Sequence, residues 1–210
     1  MSKRRKTELD AKLKKYRHTI KVFCDGKAEE QYMQSIGDEI EHDVVSFSIR
    51  SLPKRADQFK RVFKEIQSLL NDKEQHTLIF YLLDMDTIYA QGKISEYMQA
   101  RDNCLHSRNA NGRLFIIETR PCFEFWLLLH YDFVTRMFKC CDDVILELKK
   151  HWPEYNKSLN CAKQIYAKLQ DKLEDAIERA RSIEPIHSYS QMHTFFDELR
   201  RIIQSQRQST

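Results

Sequence analysis

The chain predicts an α/β fold with a mainly parallel, four-stranded sheet flanked by helices and followed by a C-terminal helical extension. Three observations carry that prediction. Short β-branched and aromatic runs alternate with segments of helical spacing, the pattern of parallel strands joined by crossover helices. The run Leu78-Ile79-Phe80-Tyr81-Leu82-Leu83 is apolar throughout, as in a strand buried on both faces. Beyond residue 131 only helical periodicity remains.

Residues 19–24 form the first expected strand, and Asp25-Gly26-Lys27 turns the chain into a helix reaching about residue 41. Gly26 permits the tight turn, and Glu29 and Glu30 place acids in the first helical turn. Residues 44–49 are the second strand. Pro53 opens a helix whose apolar positions Phe59, Val62, Phe63, Ile66, Leu69 and Leu70 share one face. Asn71-Asp72-Lys73 ends it. The third strand emerges at Asp84 and Asp86, followed by Gly92 and a polar helix at 94–106. A turn at 109–112 leads into the fourth strand at 113–118. Pro121 suits the first turn of a helix reaching Tyr131, apolar nearly all round and therefore buried. Helices are expected at 142–151, 160–182 and 191–206, and residues 204–210 read as a frayed tail. Ile165, Leu169, Leu173 and Ile177 recur every four residues as one buried stripe. The divisions are a basic arm or helix at 1–17, a catalytic α/β domain at 18–131, and a helical extension at 132–210 packed on the same domain.

At 41% hydrophobic and 31% charged, the 210 residues describe a globular chain. No apolar run reaches membrane-spanning length, so no membrane partner is expected. The basic start has no apolar signal core, and export is not expected. Six cysteines without C-x-x-C spacing argue against a zinc ribbon or a thioredoxin-like site and suit a reduced, cytoplasmic protein. The net charge is only +4, yet Lys3, Arg4, Arg5, Lys6, Lys12, Lys14, Lys15, Arg17 and Lys21 crowd the start. That run reads either as a solvated arm or as a phosphate-binding one.

The acids carry the chemistry. Asp25 and Glu29 follow the first strand, Asp84 and Asp86 end the third, and Glu124 follows the fourth. In a parallel sheet these places share the edge where ligands bind. On an extended strand, carboxylates at i and i+2 point to one side and repel, which a divalent cation relieves. Hard oxygen ligands suit Mg2+ or Mn2+, as one ion or as two about 3.5–4 Å apart, for phosphodiester chemistry. Lys27 and Arg120 are candidate phosphate contacts, and Lys93 a weaker one. Taken singly, each has a plainer role: Asp25-Gly26 as a turn, Glu29 and Glu30 at a helix N-terminus, Glu124 paired with Arg120. His130 lies six residues from Glu124, off its helical face, and reads as a core or helix-end histidine. His187 and His193 lack supporting acids.

Asp25-Gly26-Lys27-Ala28-Glu29, Asp84-Met85-Asp86 and Arg120-Pro121-Cys122-Phe123-Glu124-Phe125-Trp126-Leu127-Leu128-Leu129-His130 resemble, in this order, three motifs of the RloB-like family. That family is Toprim-like (topoisomerase-primase) and is encoded in bacterial restriction and phage-defence loci. Its pattern has Glu where Asp25 stands, Thr where Ala28 stands and Asn where Arg120 stands. The resemblance implies a Toprim-like sheet and a metal-dependent endonuclease acting on DNA or on structured RNA such as tRNA. It also implies a role in anti-phage defence and an ATPase partner from the same locus. Asp25, Glu29, Asp84, Asp86 and Glu124 would hold the metal, with Lys27 or Arg120 steadying phosphate charge. The departures at Asp25 and Ala28 favour an alternative, a metal-binding regulatory or interaction subunit with little catalysis of its own. Apolar stripes on the C-terminal helices leave room for a homodimer.

Overall fold

The computed structural model describes residues 18–40, 45–51, 57–71 and 77–207. The expected basic arm at 1–17, the Pro53 start of the second expected helix, Asp72 and Lys73 of the expected break and the last three residues of the expected tail lie outside them.

Five strands form one sheet: β1 (His18–Cys24), β2 (Val45–Ser51), β3 (Thr77–Asp84), β4 (Leu114–Arg120) and β5 (Tyr189–Ser190), in the order β2-β1-β3-β4-β5. β1 to β4 pair in parallel, as expected, and β5 adds an antiparallel edge. Two residues are too few to leave a periodic signal in the sequence. Side chains reinforce the backbone pairing of β5 with β4. The Thr119 and Ser190 hydroxyls lie 3.0 Å apart, and the Tyr189 hydroxyl donates to Glu118 at 2.8 Å. Buried Glu118 also accepts from the Tyr97 hydroxyl (2.6 Å) and from Arg101 (3.0 Å).

The helices are α1 (Lys27–Glu39), α2 (Gln58–Asn71), α3 (Met85–Ala90), α4 (Ile94–Leu105), α5 (Glu124–Leu129), α6 (Cys141–His151), α7 (Leu159–Ala162), α8 (Ile165–Leu169), α9 (Leu173–Ser182) and α10 (Met192–Arg207). A 3-10 turn, Gln170–Lys172, joins α8 to α9. Strand alternation sorts them into two layers. Leu78, Phe80 and Leu82 of β3 join Ile20 and Val22 of β1 in a large core with α1 and the helices from α5 onward. Ile79, Tyr81 and Leu83 join Phe23 in a smaller core with α2, α3 and α4. β3 is thus buried on both faces, as its apolar run requires. Among the described residues no helix is long and apolar enough to cross a membrane.

Three local expectations change. The helix expected at 160–182 is broken into α7, α8, the 3-10 turn and α9. A strict four-residue repeat drifts about 40° per step around a 3.6-residue helix. The breaks keep Ile165, Leu169 and Ile177 in the core, while Leu173 is half-buried. Pro121 does not open a helix: the Arg120–Pro121 bond is cis, Phe123 is the N-cap and α5 starts at Glu124. Asp86 is not on an extended strand, because helix α3 begins at Met85.

Phe80 stacks on Phe115 (5.0 Å between ring centres) and meets Phe195 edge-on at 4.9 Å. Phe80→Ala is expected to lower unfolding free energy by about 3–5 kcal/mol, the range for emptying a packed aromatic site. Urea unfolding measures it. A loss below about 1 kcal/mol would mean that the large core closes without this contact.

Candidate metal centre

Parallel pairing sets the site. Cys24 at the end of β1 lies opposite Leu82, and Asp84 at the end of β3 lies opposite Thr119. The strand ends are nearly flush, so Asp25, Asp84 and the segment leading to Glu124 meet at one edge.

Hydrogen bonds tie these three places together. The Asp84 backbone N–H donates to Asp25 Oδ2 at 3.3 Å. The Phe123 backbone N–H donates to Asp84 Oδ1 at 2.8 Å, one residue before Glu124. Asp25 Oδ1 accepts from the Tyr81 hydroxyl and from the Gln58 amide, each at 3.1 Å. Glu29 is buried and folds back over the turn before α1. A Cβ on Gly26 would stand 2.6 Å from Glu29 Oε2, so the Glu29 carboxylate lies directly against the turn and would have to shift if residue 26 carried a side chain. Glu124 is buried, and its Oε1 accepts from the Tyr155 hydroxyl and the Lys157 ammonium, both at 2.9 Å.

Electrostatics single out Asp84. Its carboxyl titrates well above the ordinary carboxylate range, first because it is desolvated. The negative charges of Glu29, Asp25, Glu124 and Asp86 then add to the shift, in that order. The structure therefore brings Asp25, Glu29, Asp84 and Glu124 into one cluster. Asp86 is the weakest of these neighbours. Its Oδ1 accepts from its own neighbour, the Thr87 N–H, at 2.6 Å, and it lines an adjoining groove with Tyr89, Arg120 and Lys139.

The cations expected from the sequence lie elsewhere. Lys27 pairs with Glu30, which also accepts from the Ser51 hydroxyl. Arg120 lies over the Tyr89 ring at 4.2 Å instead of pairing with Glu124. Lys93 pairs with Asp57 at 2.6 Å. His130 is a core histidine: it bonds the Trp126 carbonyl at 3.0 Å, and burial pushes its pKa down to about 4.

Two groups at the cluster carried no sequence signal, Tyr155 and Lys157. Both lie in the α6–α7 connection, more than thirty residues after Glu124, without a recognisable motif. A third feature is the disulfide between Cys122 and Cys141, where the sequence suggested reduced cysteines. The two lie 19 residues apart in sequence, and it is the packing of α5 against α6 that brings their Cα atoms to 5.6 Å.

A family model described as RloB-like protein matches residues 20–202. The chain belongs to the RloB-like family. The resemblance read from the three motifs is thereby confirmed, and the match continues beyond His130 to take in Tyr155 and Lys157. No curated protein and no solved structure matches this RloB-like chain.

The raised pKa of Asp84 has a measurable consequence. An acid that holds its proton longer in the folded state than the ordinary value of about 3.9 subtracts stability as pH rises past that value. In EDTA, Asp84→Asn is expected to be more stable than wild type at pH 7, by on the order of 1 kcal/mol. The gap should close as pH falls to about 4, where the unfolded carboxyl also keeps its proton. Urea unfolding at both pH values reads this. A variant less stable than wild type at pH 7 would show that Asp84 is not under the field described.

Proposed function

We propose that this chain is a divalent-cation-dependent endonuclease with a Toprim-like sheet, hydrolysing phosphodiester bonds in DNA or in structured RNA such as tRNA. The observation that carries this is the hydrogen-bonded path from Asp25 through Asp84 to the backbone beside Glu124, which joins three separate motifs at one sheet edge. A role in anti-phage defence and an ATPase partner, which the family resemblance implies, belong to the same proposal.

The residues fit a hard cation. Asp25, Glu29, Asp84 and Glu124 offer carboxylate oxygens, the donor set of Mg2+ or Mn2+. Burial and the neighbouring acids raise the pKa of Asp84, and a bound cation would favour its charged form. Such an ion would supply Lewis-acid activation of water and neutralise charge at the phosphate. The protein's own part is placement. Tyr81 and Gln58 hold Asp25, the Phe123 N–H holds Asp84, and Tyr155 holds Glu124. Lys157 supplies the positive charge at the cluster that the sequence assigned to Lys27 or Arg120.

One observation favours a second reading, a metal-binding regulatory or interaction subunit. Both oxygens of Asp25 already accept protein hydrogen bonds, as in a carboxylate with a structural task.

The deciding experiment offers plasmid DNA and total tRNA to the purified protein with Mg2+, with Mn2+ and with EDTA. Cleavage of one substrate is expected, lost in EDTA and reduced roughly 100-fold or more by Asp84→Ala. Asp84→Ala cutting like wild type would overturn the site. Folded protein that binds Mn2+ and cuts neither substrate, with its ATPase partner added, would establish the second reading.

A further inference from the structure

Glu124 has a second set of neighbours, and they are sulfurs. Cys122 lies two residues before it, in the connection from β4 to α5, and Cys141 is the first residue of α6. All three side chains are buried. One ligand atom from each lies within 4.8 Å of the others, and Cys141 Sγ stands 3.0 Å from Glu124 Oε2. In the disulfide this sulfur has no proton to donate, so the contact is bare carboxylate against sulfur.

A second observation points to a cation at the same place. The Lys157 ammonium lies 2.9 Å from Glu124 Oε1 and 3.4 Å from Cys141 Sγ. Its side chain is 56% exposed, so it reaches in from solvent and can withdraw. A positive charge already rests on the carboxylate and one of the sulfurs.

We infer that, once the Cys122–Cys141 disulfide is reduced, Cys122, Glu124 and Cys141 form a binding site for a borderline divalent cation of the zinc type. Two thiolates and a carboxylate select such an ion against magnesium. Three protein ligands leave one tetrahedral position for a small ligand. Two sulfurs on one tetrahedral zinc stand about 3.8 Å apart. Cysteines with Cα atoms 5.6 Å apart reach that separation by side-chain rotation alone.

The chemistry balances. A dithiol reductant passes two electrons and two protons to the disulfide, leaving two thiols and becoming a disulfide itself. Binding of the ion then releases one proton from each thiol. Disulfide and ion claim the same sulfurs, so the two states exclude each other. Ion binding rests on these three ligands alone. Only its consequence rests on the proposed function: Glu124 belongs to both donor sets, so zinc would withdraw it from the hard-ion cluster.

Cobalt(II) is the probe, because thiolate ligation gives near-ultraviolet charge-transfer absorption that carboxylates do not. Protein reduced with a dithiol and desalted under argon is titrated beside the disulfide form. The reduced protein is expected to bind one cobalt with this absorption, zinc to erase it, and the disulfide form to lack it. Cys140→Ser, which removes the exposed neighbouring thiol, should leave the absorption intact. Cys122→Ser/Cys141→Ser should abolish it, and Glu124→Gln should weaken cobalt binding about 10-fold or more. Absorption absent from reduced wild type, or lost in Cys140→Ser, overturns the inference. Should the double variant fail to fold by circular dichroism, the comparison of reduced and disulfide wild type with Cys140→Ser still decides.

Discussion

β3 has no solvent face, and the rest of the molecule is arranged to meet that constraint. A strand apolar on both sides needs a helical layer on each. The two cores are those layers, divided by nothing more than odd and even positions along the strand. The same burial makes the strand's last residue costly. Asp84 carries a carboxylate to the point where the sandwich opens, with water partly excluded and other acids close by. Neighbouring groups answer that cost. A backbone N–H bonds the carboxylate directly, and Lys157 reaches the adjoining Glu124. Core and site are therefore one problem in the placement of charge.

The sequence made the skeleton legible because strong signals were also local. Four parallel strands, the doubly buried β3 and the amphipathic α2 followed from hydropathy within a few residues of each other. Asp25, Asp84 and Glu124 were legible for a related reason: each follows a strand, and parallel pairing alone puts strand ends at one edge. Glu29 followed from the helix that a glycine turn begins.

What stayed hidden depended on distance or on geometry finer than a pattern. Asp86 looks equivalent to Asp84 in a D-x-D string, but a helix starting at Met85 separates their directions. Lys27 and Arg120 were assigned by proximity in sequence, and each found a nearer partner, Glu30 and the Tyr89 ring. Lys157 was missed because its value comes only from how the α6–α7 connection returns over Glu124. The cysteine pair was missed because spacing rules for short motifs do not reach across 19 residues. β5 is reinforced by the hydroxyl and carboxylate contacts of Glu118, which no hydropathy pattern records.

Lys157 gives the acidic cluster an unusual property. Its charge is tethered to the fold at one end and exposed to solvent at the other. A tethered ammonium competes with dissolved cations at an effective concentration fixed by its loop, whatever the cell supplies. The cluster consequently need never stand uncompensated. The same tether sets a floor under the cation activity needed to displace it, so the length and stiffness of the α6–α7 connection, which Trp152 and Tyr155 anchor in the large core, act as a setting for ion affinity.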